Sequence, residues 1–134
     1  ACMTEITCTY TGDGQTKLKH GPSGAVIHTD LPPDNGGKGR LFSPTDLLAS
    51  AFASCVLTIM GKMASARGEN LQGARLVITK EMAQAPRRVG AFEVTITFPA
   101  HFTQEQKNFY KTAVNACPVH QSLRSDIGLT VHIK

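Results

Sequence analysis

At 134 residues and 14.4 kDa the chain suits one domain over 1–134, large enough to bury a core without staples. Its 41% hydrophobic and 18% charged residues argue against a disordered chain. The net charge of +4 is scattered, with Arg87-Arg88 the one adjacent basic pair and no Trp, so a nucleic-acid partner is not expected.

Glu5 to Thr11 is rich in β-formers and predicts a first strand. Gly12-Asp13-Gly14 is a tight-turn signal leading into a second strand over Gln15 to His20. After the Gly21-Pro22-Ser23-Gly24 turn, Ala25 to Thr29 predicts a third strand. Leu31 to Arg40, with Pro32-Pro33 and Gly36-Gly37, predicts a loop. Ser43-Pro44-Thr45-Asp46 then carries a cap, a proline at the first helical position and a capping-box acid. The helix it opens should run to about Ala66 and end near Gly68. Because it is apolar on all faces, it is expected to be the buried central helix, partly covered by a second subunit.

Arg75 to Met82 predicts a fourth strand. Phe92, Val94, Ile96 and Phe98 alternate with Glu93, Thr95 and Thr97, the pattern of a strand with one wet face. Thr103 to Gln106 is a second capping box, opening a helix with Phe109, Tyr110, Ala113, Val114 and Cys117 along one side. Pro118 ends or restarts that helix, Val119 to Arg124 suggests a short helical piece, and Leu129, Val131 and Ile133 alternate in a last strand. The order β-β-β-α-β-β-α-β predicts an α+β fold of antiparallel sheets around the central helix.

The N-terminus shows no basic segment followed by an apolar run, and Met3 is a candidate natural start. The longest apolar stretch, Leu47 to Met60, is shorter than the ~20 residues that cross a bilayer. The expectation is a soluble, cytoplasmic protein with no membrane partner. Four cysteines, at 2, 8, 55 and 117, form no CxxC pair, so zinc-ribbon and thioredoxin-type chemistry fail on spacing. The five histidines show no ligand spacing, so neither metal nor cofactor is expected; His120, three residues past Cys117, is the one to watch.

Cys55, on the Leu48, Phe52 and Ile59 side of the long helix, reads by itself as a packed core thiol. Cys117 precedes a proline and so can cap the segment that follows, a placement that lowers a thiol pKa. It can equally be the last core residue of the preceding helix. Cys8, mid-strand among threonines, reads as structural.

Ser43 to Cys55, with Cys55 eleven residues after Pro44, resembles the central helix of the OsmC/Ohr superfamily. Ala116-Cys117-Pro118-Val119-His120-Gln121-Ser122-Leu123 is similar to the second family motif, Cys-Pro-hydrophobic-x-x-x-Leu, and follows Cys55 by 62 residues. The resemblance covers nearly the whole chain. It implies an intertwined homodimer exchanging strands at the N-terminal hairpin. It also implies a thiol peroxidase in which Cys55 attacks an organic hydroperoxide and Cys117 resolves the product to a disulfide. A dithiol, such as a lipoylated protein, would reduce that disulfide. Leu48, Phe52 and Ile59 would then line an apolar substrate pocket.

Family peroxidases also carry an Arg that stabilises the thiolate and, directly after the helix-opening Pro, a Glu that orients it. Arg40 matches the Arg of one branch, whereas the Glu position holds Thr45, which cannot form an ion pair. Asp46 follows, as an acid does in branches such as the YhfA-type proteins, and reads equally as the capping-box acid. The alternative to an enzyme is an OsmC-like protein that uses the thiol pair for redox sensing or the pocket for an apolar ligand.

Overall fold

The computed structural model describes residues 2–134, and the chain divides into two compact units, Ala1–Leu47 and Leu48–Lys134.

In the N-terminal unit, β1 (Ile6–Gly12), β2 (Gln15–His20) and β3 (Val26–Asp30) form an antiparallel meander in the order β1-β2-β3. The β1–β2 turn needs left-handed backbone at three successive residues, φ 99° at Gly12, 57° at Asp13 and 78° at Gly14. Glycine adopts that region freely and aspartate is among the few other residues that tolerate it. A 3-10 turn, Pro33–Asn35, follows in the proline-rich loop.

The long helix α1 (Pro44–Ala66) starts where the cap predicts. Asp46 N–H donates to Ser43 Oγ at 3.0 Å and Ser43 N–H donates to Asp46 Oδ2 at 2.9 Å, a reciprocal capping box. It ends in a Schellman arrangement: Glu69 N–H donates to the Ala64 carbonyl and Gly68 N–H to that of Ser65, with Gly68 at φ 68°. At 23 residues α1 outruns the apolar stretch read from sequence. By length and composition alone it is long and apolar enough to cross a membrane. Within the C-terminal unit one stripe, Ala49, Phe52, Val56, Met60 and Ala64, is buried; the all-round burial expected of a central helix is not reached in a single chain.

The C-terminal sheet has the order β4-β5-β6, from β4 (Arg75–Ala83), β5 (Arg88–Thr97) and β6 (Gly128–Ile133). Phe92, Val94, Ile96 and Phe98 are buried and Glu93 and Thr97 exposed, as the alternation requires. One pairing departs from the antiparallel expectation: β6 lies parallel to β5, Phe92 opposite Leu129 and Ile96 opposite Ile133. The helical segment between them is the crossover a parallel pair needs.

That segment is α2 (Gln104–Lys111), α3 (Ala113–Ala116) and α4 (Pro118–Gln121), so the helix expected to continue toward Cys117 breaks at Thr112. Thr103 and Gln106 close the expected capping box on α2. Tyr110, Ala113, Val114 and Cys117 are buried, but Phe109 is 38% exposed, its ring faced by the Arg67 guanidinium at 4.2 Å. This is a cation–π contact, with the guanidinium over the negative ring face.

Candidate functional site: a buried pair of thiols

Proline dictates the backbone at the second cysteine. The residue before a proline is pushed out of the helical region, and Cys117 stands extended at φ −69°, ψ 131° while Pro118 occupies the first turn of α4. Cys117 thereby becomes the cap of α4, and its Sγ accepts from the His120 N–H at 3.3 Å. The Gln121 side chain donates to the Asn115 carbonyl at 2.6 Å and Ser122 Oγ donates to the Pro118 carbonyl at 2.8 Å, which fixes the bend.

Cys55 reaches the same place from the middle of α1. The two thiols are free and neighbouring, Cys117 fully buried and Cys55 half-buried. Burial pushes the Cys117 thiol above its ordinary pKa and the Cys55 neighbour pushes it further. The His120 and Val119 N–H groups pull the other way without winning. The cap geometry predicted a lowered pKa; desolvation, which disfavours any thiolate, reverses it.

The aromatic wall beside the thiols is made by Phe52, one turn before Cys55 on α1. His120 stacks on it, with ring centroids 5.5 Å apart and planes 7° from parallel, and Phe92 meets it edge-on at 5.6 Å. These rings, with Leu123, Arg124 and Leu129 among others, line a cavity of about 340 Å³. Of the three residues expected to form a substrate pocket, Phe52 lines this cavity, while Leu48 and Ile59 are partly buried against the core. Neither sulfur is among the lining residues.

In the N-terminal unit Arg40 is held by two carboxylates that sequence reading missed. Its Nε donates to Asp30 Oδ2 at 2.7 Å and its Nη2 to Asp30 Oδ1 at 3.1 Å; Nη1 donates to Asp13 Oδ2 at 3.0 Å. The Arg40 N–H also donates to Asp30 Oδ2 at 2.9 Å. Lys38 joins at Asp13 Oδ2, 3.0 Å away. Asp30 and Arg40 are ten residues apart on a strand end and a loop, a separation that carries no periodic signal. Thr45 Oγ1 lies 3.3 Å from Ser43 Oγ, so the helix cap absorbs Ser43, Thr45 and Asp46 alike.

The model of the OsmC-like protein family matches residues 37–132, which include both cysteine motifs. The chain belongs to that family. Among solved structures, a Psychrobacter arcticus 273-4 protein is 40% identical, with a TM-score of 0.93 over 100% of this chain and 98% of its own. Its assignment as an osmotic stress induced and detoxification response protein is itself inferred. The organic hydroperoxide resistance protein OsmC of Legionella pneumophila shares the fold at a TM-score of 0.78 and 15% identity, covering 99% of this chain and 97% of that one. OhrB of Bacillus subtilis, an organic hydroperoxide resistance protein, does so at 0.72 and 13% identity, covering 99% and 98%. No curated protein matches the chain in sequence. The two three-stranded sheets and the long helix are thus the OsmC-like fold, and the Cys55–Cys117 pair falls within the matched region.

Proposed function

We propose that the chain reduces organic hydroperoxides through its two thiols. The observation that carries this reading is that Cys55 and Cys117 are neighbours, near enough for the Cys55 thiol to raise the pKa of the Cys117 thiol. The Cys55 thiolate attacks the terminal oxygen of the hydroperoxide; the S–O bond forms, the O–O bond breaks, and the alkoxide leaves as an alcohol after protonation. Cys117 then displaces hydroxide from the sulfenic acid to give a disulfide and water. An external dithiol, of the lipoyl class, returns both thiols by exchange. The family membership and the names of the Legionella and Bacillus relatives support this reading.

Two further assignments belong to it. The chain works as a homodimer through its N-terminal sheet. There Ile6, Leu18, Ala25 and Ile27 line a groove of about 200 Å³, with Ile6 59% and Ile27 50% exposed. Light scattering on the purified protein should then give about twice 14.4 kDa. Four free cysteines suit a reducing compartment such as the cytoplasm.

A second reading has its own observation. The 340 Å³ cavity is walled by Phe52 and His120 and touches neither sulfur, which favours a bound apolar molecule sensed or carried rather than turned over. Steady-state reduction of cumene hydroperoxide with dihydrolipoamide separates the two. Turnover in the wild type that disappears in Cys55→Ser supports the reductase. No turnover in the wild type, with activity gained in Thr45→Glu, supports the binding protein.

A further inference from the structure

The cavity of about 340 Å³ beside the thiols has walls of two kinds. Phe52, Phe92 and His120 give it rings, and Leu123, Ile127 and Leu129 give it aliphatic surface. The rings are already set against one another. His120 lies nearly parallel to Phe52 with centroids 5.5 Å apart, and Phe92 meets Phe52 edge-on at 5.6 Å. Stacked and edge-on contacts are the arrangements aromatic pairs prefer, so a further ring entering the cavity finds partners of its own kind.

Charge at this cavity is cancelled within the protein. Arg124 is the lining residue with a permanent charge, and its guanidinium is forked onto Asp126, Nε to Oδ1 at 3.1 Å and Nη2 to Oδ2 at 2.8 Å. A carboxylate or ammonium entering here would lose water without meeting a free counter-charge, which disfavours it. Gln121 and Ser125 are uncharged polar lining residues and suit a lone hydroxyl or carbonyl. Size narrows the choice further. An apolar cavity of about 150 Å³ lined by Leu, Ile and Phe holds benzene. The present one is roughly twice that and falls in the range of small-molecule sites.

We propose that this cavity binds an uncharged aromatic molecule, larger than benzene and bearing a hydroxyl or carbonyl group. The proposal gives the binding reading its ligand class and rests on that reading. Neither Cys55 nor Cys117 lines the cavity, so the molecule is not placed for attack by either sulfur. It lies instead against Phe52, one turn before Cys55 on α1, and against His120, whose main-chain N–H donates to Cys117 Sγ at 3.3 Å.

The test is calorimetric titration of the full reduced chain with 2-naphthol, 2-naphthoate and 1-octanol. 2-Naphthol should saturate a single site per chain, with the charged and the ringless probes weaker by about tenfold or more. Nuclear Overhauser contacts in the methyl-labelled wild type should join the naphthol ring to Leu123, Ile127 and Leu129. Ile127→Trp puts a larger side chain at a lining position and should weaken 2-naphthol by about tenfold. Cys55→Ser should bind it as the wild type does. Contacts elsewhere on the chain, wild-type affinity in a folded Ile127→Trp, or loss of binding in Cys55→Ser overturns the proposal. So does a chain that takes up no 2-naphthol, or one that binds 2-naphthoate as tightly. Uptake of 1-octanol in place of 2-naphthol overturns the ring assignment while the binding reading stands. The binding reading itself falls if none of the probes binds and cumene hydroperoxide is turned over.

Discussion

Arg40 grips Asp30 through Nε at 2.7 Å and Nη2 at 3.1 Å, on a carboxylate whose side chain has no exposed surface. The guanidinium holds the Asp30 carboxyl down to about pKa 2. A carboxyl whose folded pKa lies below its unfolded value, about 3.9, adds stability above that value. The contribution drains away as pH falls from about 4 to about 2. Asp30→Asn should therefore lower Tm at neutral pH and flatten its fall across that acid window. Thermal melts of both proteins between pH 2 and pH 7 check this; parallel curves would refute it.

The core stripe of α1 predicts a contrast along one helix. Met60 is fully buried and Ser54 exposed. Met60→Ala should cost about 2–5 kcal/mol, the range for emptying a core site. Ser54→Ala should stay within about 0.5 kcal/mol. Urea denaturation measures both.

Tyr110 is buried and donates its hydroxyl to Glu69 Oε1 at 2.7 Å, while Arg67 pairs with the same oxygen at 2.6 Å. Burial first, and the Glu69 hydrogen bond second, raise its phenol to about pKa 12. Glu69→Gln removes the charge and should bring the Tyr110 ionisation down, though burial keeps it above the usual value. Ultraviolet titration of the phenolate in both proteins, with Tyr10→Phe as background, reads the difference.

Cys117 should react with iodoacetamide more slowly than the exposed Cys2 and Cys8 near neutral pH, because its thiol is buried and held protonated. Cys55→Ala removes the neighbouring thiol and should shift the pH at which Cys117 alkylates downward, though burial, the larger cause, persists. Peptide mapping after timed alkylation follows each cysteine separately.

Where a local signal existed, the fold was legible. Ser43 and Gly68 bracket α1, Thr103 and Gln106 open α2, and the alternation from Phe92 to Phe98 sets the buried face of β5. The direction of β6 was not legible, since Leu129, Val131 and Ile133 alternate identically in parallel and antiparallel pairing. The expectation that Cys55 and Cys117 belong together came from the resemblance of their two motifs to those of the OsmC/Ohr superfamily. The sign of the Cys117 shift did not, because a capping geometry can be read from Cys-Pro whereas desolvation depends on what packs around it. Asp30 escaped notice for the same reason: its burial and its grip on Arg40 are tertiary facts with no pattern in the chain.

The most direct measurement is a stoichiometric titration of fully reduced protein with cumene hydroperoxide, followed by mapping of disulfides. One peroxide should be consumed per chain and one new disulfide should join Cys55 to Cys117, with Cys2 and Cys8 still alkylatable. A chain that leaves the peroxide untouched, or that forms its disulfide between other cysteines, would contradict the proposed function.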